Sequence, residues 1–147
     1  MRGIVAGAIS ALVMAAVPVA AAAPQSEQVR GDVQAVLGKS AAGWNSANLD
    51  LFMSCYEDAP TTSYVSGDKV TQGFQAIRSV YGTRFAGGTK AMGQLSLEVV
   101  DLRMVGNANA YVIGRFTLRR DGGDVSGITT LLFRKTAAGW RIVADHS

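Results

Sequence analysis

Four runs rich in Val, Ile, Thr, Leu and Phe fill the second half of the chain: GQLSLEVVDLRMV, ANAYVIGRFTLRR, DVSGITTLLFRK and GWRIVADHS. Such residues suit a pleated, half-buried surface, and the intervening GNAN, DGG and TAAG are hairpin connections. Sequential hairpins make an antiparallel meander, which needs a cover for its apolar face. Helical spacing ahead of the meander supplies that cover. Val29, Val33, Val36, Leu37, Ser40 and Trp44 recur at helical intervals from about Ser26. After a turn at NSAN, Leu49, Phe52, Met53 and Tyr56 mark one face of a second short helix, with Asn48 able to cap its start. Phe74, Ile77 and Tyr81 line a third helix that ends before Gly87–Gly88. Between these helices, EDAPTTSYVSGDKV reads as a loop, a short strand through Thr62 to Val65 and a turn at Ser66–Gly67–Asp68. Helices gathered ahead of an antiparallel sheet predict an α+β fold, with the helices on one sheet face.

The 147 residues suggest a single domain. Residues 1–23 carry one basic residue, Arg2, then an uncharged apolar run closing on small residues, which is the layout of a secretory signal peptide. Residues 24–147 would then form the mature domain, periplasmic or secreted. Glycines and Pro18 leave the apolar run marginal as a membrane span, so no membrane association is expected after cleavage. Losing Arg2 takes the formal charge from +3 to +2, and the basic residues are scattered apart from Arg119–Arg120 and Arg134–Lys135. Without a basic stripe or motif, nucleic acid is not an expected partner. Cys55 is the only cysteine and His146 the only histidine, so neither an internal disulfide nor a multi-histidine metal site is expected. No cofactor motif is present.

The stretches WNSANLDLFMSCYEDA and TQGFQAIRSVY, followed by long hairpins and a final GWRIVADHS, resemble the nuclear transport factor 2-like superfamily. More narrowly the chain is similar to SnoaL-like proteins with a ketosteroid-isomerase-like fold. The resemblance implies a cone: three N-terminal helices wrapped by a strongly curved antiparallel sheet, with a pocket inside. It also implies a homodimer through the outer sheet face. Reading forward from Asn45, Leu49 and Asp50, the resemblance places the isomerase general base on Tyr64 and the oxyanion-hole tyrosine on Ser40. The second oxyanion-hole acid falls near Leu131. That chemistry needs a carboxylate to move a proton and a neutral acid to donate to the enolate oxygen. None of the three positions carries the required group, so a ketosteroid isomerase mechanism is not expected.

Trp44, Tyr56, Phe74 and Trp140 have helical or strand spacings compatible with the same interior, and Tyr64 stands where the resemblance places the isomerase base; these five are the expected ligand-binding aromatics. Arg115 would suit an anionic ligand if it faced the pocket, or a dimer or surface contact if it faced outward. Strand alternation puts Trp140, Ile142, Ala144 and His146 on one face of the last run, with Arg141, Val143, Asp145 and Ser147 on the other. The first set is the apolar one, so His146 is expected to point into the pocket. Asp145 is expected to point away, paired with a base such as Arg115 or Arg134. Together these observations predict an exported protein that binds a small, largely apolar molecule in an internal pocket. The alternative is a small isomerase, cyclase or hydrolase with His146 as its general acid or base, partnered by a tyrosine.

Overall fold

In the computed structural model, residues 22–147 are described. The segment read as a signal peptide, 1–23, lies outside them but for its last two residues. Helix α1 (Ala22–Asn45) carries the stripe expected of it: Val29, Val33, Leu37, Ser40 and Trp44 are all buried along one side. Helix α2 (Leu49–Met53) starts where Asn48 Oδ1 accepts from the Leu51 amide at 2.9 Å. Helix α3 (Phe74–Phe85) buries Ile77, Tyr81 and Phe85, and a further turn, α4 (Gly88–Met92), follows. The run across Gly87–Gly88 is therefore a helix break, not the end of helical structure.

The sheet has six strands: β1 (Ser63–Ser66), β2 (Lys69–Gln72), β3 (Gln94–Val105), β4 (Asn109–Arg119), β5 (Val125–Thr136) and β6 (Gly139–His146). Their order is β2-β1-β6-β5-β4-β3. The meander β3 to β6 is antiparallel throughout, as expected. The early strand β1 turns back on itself through Gly67, at φ +60°, to form a hairpin with β2, and it joins β6 in parallel. The sheet is consequently mixed.

Two strands contain an extra residue, and these bulges decide which side chains face the helices. In β3 the pairing steps from Val99↔Gly114 to Asp101↔Ile113, leaving Val100 unpaired. The inward set changes there from Leu95, Leu97 and Val99 to Leu102 and Met104. In β6 it steps from Phe133↔Ile142 to Leu132↔Ala144, leaving Val143 extra. Ile142 and Val143 are accordingly buried in succession, on a strand whose burial otherwise alternates. A bulge bends its strand and sharpens the local twist, as a sheet wrapped around helices requires. At this bulge β6 also changes partner. The Ile142 amide donates to Cys55 O (2.8 Å) and its carbonyl accepts from the Glu57 amide (2.9 Å), whereas Ala144 to His146 pair with β1.

The C-terminal end of α1 is tied to the start of β3 by side chains. Asn45 donates to Leu95 O and accepts from the Leu95 amide, at 2.9 and 2.6 Å, while Trp44 Nε1 donates to Gly93 O at 3.1 Å.

Candidate functional site

Between the helices and the sheet lies a cavity of about 330 Å³, within the range of small-molecule sites. Its walls are largely apolar. Leu37 and Trp44 come from α1, Phe52 from α2, Leu95 and Leu97 from β3, and Phe116 from β4. The aromatic side is a packed cluster: Phe52 lies 4.6 Å from Tyr81, and Tyr64 lies 5.1 Å from Tyr81, between ring centroids.

Among the described residues, Asp145 is the one side-chain carboxylate that faces this cavity. The β6 bulge reverses the alternation expected of the last strand. Val143 takes up the extra position, so Asp145, not His146, turns inward with Ile142. Asp145 is 5 % exposed, whereas His146 is exposed and does not line the cavity. This corrects the expected placement of His146 as a pocket group, and an acid–base role for it inside the pocket has no geometric support. Neither expected partner of Asp145 reaches it: Arg115 lies 4.0 Å from Glu98, and Arg134 lies 3.2 Å from Glu57.

The partners Asp145 does have are hydroxyls. Tyr56 donates to Oδ2 at 2.6 Å and Ser147 donates to Oδ1 at 2.6 Å. Thr129 Oγ1 lies 2.8 Å from the Ser147 oxygen and 3.4 Å from Oδ1, while Tyr56 Oη lies 3.4 Å from the Tyr81 hydroxyl. Burial pushes the Asp145 carboxyl above the ordinary aspartate range, and the hydrogen bonds from Ser147, Tyr56 and Thr129 only partly oppose it. Burial and the neighbouring carboxylate push the Tyr56 phenol well up, so Tyr56 stays protonated as a donor. The arrangement is a buried proton-accepting group, oriented by three hydroxyls and open to an apolar cavity.

The sign of the pH response follows. Because the folded state holds the Asp145 proton more tightly, it keeps that proton above the ordinary value of 3.8, where the unfolded chain has released it. The contribution of this group to stability therefore falls as pH rises from about 4, until native Asp145 is also ionised. Asp145→Asn, which removes the charge while keeping an amide able to bond the same hydroxyls, is expected to be more stable than the parent at neutral pH. The difference should shrink on acidification toward pH 4, as read by denaturant midpoints across the pH range. An unchanged difference across that range would show that Asp145 is not the titrating group.

Of the other residues singled out in the sequence, Trp44, Tyr56 and Tyr64 line the cavity. Phe74 is half-buried against the core, and Trp140 is buried with Lys135 Nζ 5.9 Å from its ring centre, but neither reaches the cavity. Arg115 shares the outer face of β4 with Tyr111, Ile113 and Thr117, half-exposed and outside the cavity. The arginine that does line it is Arg84 of α3, one turn beyond Tyr81. The helical line Ile77, Tyr81, Arg84 was the available signal for both residues. All three positions at which the resemblance places isomerase groups, Ser40, Tyr64 and Leu131, face the cavity. Across the sheet, Asp145 stands in register with Tyr64 on one side and Leu131 on the other.

A family model described as a SnoaL-like domain matches residues 33–147. Among solved structures, the chain is similar to an NTF-2 like protein of unknown function from Shewanella oneidensis MR-1. The two are 26 % identical with a TM-score of 0.75, covering 80 % of this chain and 97 % of that one. A nuclear transport factor 2 (NTF2-like) superfamily protein from Salmonella enterica is 24 % identical, with a TM-score of 0.62 over 82 % of this chain and 89 % of that one. An NTF2-like protein with a cystatin-like fold from Novosphingobium aromaticivorans shares the fold at 16 % identity, with a TM-score of 0.62 over 86 % and 84 % of the two chains. No curated protein matches the chain.

Proposed function

The chain belongs to the SnoaL-like domain family, and from that premise we propose that it is an exported protein binding a small, largely apolar molecule in the cavity bounded by Trp44, Phe52, Tyr64 and Leu97. The observation that carries this reading is the cavity itself, with apolar walls and polar groups converging on Asp145. Export rests on the composition of residues 1–23. Pairing of two copies through the outer sheet face is supported by Tyr111 and Ile128, 37 % and 50 % exposed on adjacent strands.

The test is binding of the neutral apolar fluorophore N-phenyl-1-naphthylamine. Saturable enhancement is expected with the parent protein. Leu97→Trp, which fills the cavity from β3, is expected to weaken binding at least about tenfold while costing no more than roughly 1–3 kcal/mol of stability. A folded parent protein that gives no saturable signal would overturn the binding reading.

One observation favours a second reading, that the bound molecule is also turned over. The carboxylate that the isomerase scheme needs is missing from Tyr64 and Leu131, but Asp145 occupies the strand between them, buried and in register with both. In that reading the Asp145 carboxylate takes a proton from an acidic C–H of the ligand and returns it at another carbon of the same conjugated system, an isomerisation that needs no other reactant, while Tyr56 and Ser147 hold the carboxylate in place. Asp145→Asn would then retain fluorophore binding and lose turnover.

A further inference from the structure

Among the described residues, Arg84 is the only charged side chain besides Asp145 that lines the cavity. Its guanidinium carbon stands 5.8 Å from the Tyr64 ring centre and 5.3 Å from the Tyr81 ring centre, and both rings line the same cavity. Arg84, like Arg30, Arg119, Arg120 and Arg141, has no carboxylate oxygen within 4.0 Å among the described residues, and of these five it is the one that lines this cavity. The residue is exposed, so the charge lies toward solvent at the edge of the apolar space, whereas Asp145 is buried within it. Two aromatic faces hold the guanidinium at the cavity while leaving its in-plane N–H donors unclaimed.

We infer that the ligand is an amphiphilic organic anion: an apolar body seated between Trp44, Tyr64 and Leu97, with one acidic head paired to Arg84 at the cavity edge. This rests on the binding reading above and adds to it the charge of the ligand and where that charge sits. A guanidinium fork matches a carboxylate or sulfonate oxygen pair, and proximity to a protein surface weakens screening relative to bulk water. A cationic ligand would meet the same guanidinium at the edge and is disfavoured.

The test compares two probes that differ by one charged group, 8-anilinonaphthalene-1-sulfonate and the neutral N-phenyl-1-naphthylamine, on the full chain. Arg84→Gln is expected to weaken the sulfonate about tenfold and the neutral probe less than about twofold, with Arg84→Lys intermediate. Raising salt from about 0.02 to 0.5 M should weaken the sulfonate with the parent protein and have little effect with Arg84→Gln. Equal responses of both probes to Arg84→Gln, or no response of either while both bind, would overturn the anion assignment and leave the binding reading standing. Failure of both probes to bind the folded parent would overturn both.

Discussion

Deletion of Val143 is expected to destabilise the protein by about 3 kcal/mol and yet to leave Asp145 in the cavity. Val143 is 7 % exposed, so the loss of its side chain alone costs roughly 1.5–3 kcal/mol, and the bend that the bulge gives the strand is lost with it. The register survives. Without the extra residue, β6 runs as a regular strand from Ile142, and Ala144 and Asp145 keep their faces opposite Leu132 and Leu131. Asp145 therefore stays with Tyr56, and the parallel pairing Tyr64↔Asp145 and Val65↔His146 is retained. Val143→Ala is the control, because it trims the side chain but keeps the residue count. Val143→Ala should lose on the order of 1–2 kcal/mol in denaturant unfolding, and both variants should retain fluorophore binding. Loss of binding in the folded deletion variant alone would show that Asp145 does not keep its face without the bulge.

Gly43→Ala is the second large effect, and its sign is opposite to what helix propensity alone suggests. Alanine in a helix interior is favoured over glycine by about 1 kcal/mol. At Gly43, however, a Cβ would sit 2.5 Å from the Phe52 backbone nitrogen and 2.8 Å from its Cα. These are backbone atoms of α2, held by the Phe52 amide bond to Asn48 O and the Asn48 amide bond to Gly43 O. Relief requires α1 and α2 to separate, which disturbs the Phe52 ring in the cavity wall. A net loss of about 2 kcal/mol is expected, lowering Tm by several degrees. Gly31 and Gly38 lie in the same helix with nothing within 4 Å of an added Cβ. Alanine at either should raise Tm, so calorimetry of the three variants separates contact from propensity. A gain for all three would show that the helices adjust without cost.

Much of the fold was legible because its signals are local. The α1 stripe, the Asn48 cap and the hairpins of the meander each depend on spacing within a few residues. Trp44 and Tyr56 were legible as pocket residues for the same reason, since each continues an apolar row, whereas Tyr64 was legible only through the family resemblance. What was not legible depends on partners far away in the chain. The parallel joining of β1 to β6 has no local mark, and β2 is too short and exposed to show an apolar alternation. The misplacement of Asp145 and His146 came from a single residue, because alternation counted through a bulge inverts everything after it. Both bulges do coincide with apolar doublets, Val99–Val100 and Ile142–Val143, the places where alternation is already broken in the sequence. Arg115 drew attention because apolar neighbours surround it in the chain, yet those at its own side of β4 face outward. Arg84 carries no mark in the sequence, because an exposed arginine on a helix usually has no role beyond solvation.

The parallel seam between β1 and β6 also bears on the order in which the protein folds. The meander closes only short loops, whereas the pairing of Ser63–Val65 with Ala144–His146 must bring together segments 81 residues apart in the chain. Loop-closure entropy makes so distant a contact slow to form and costly to nucleate. The helices and meander would assemble first, and the β1–β2 hairpin would dock last. Tyr64 and Asp145 meet across that seam, so the cavity wall closes only once these two distant segments have paired.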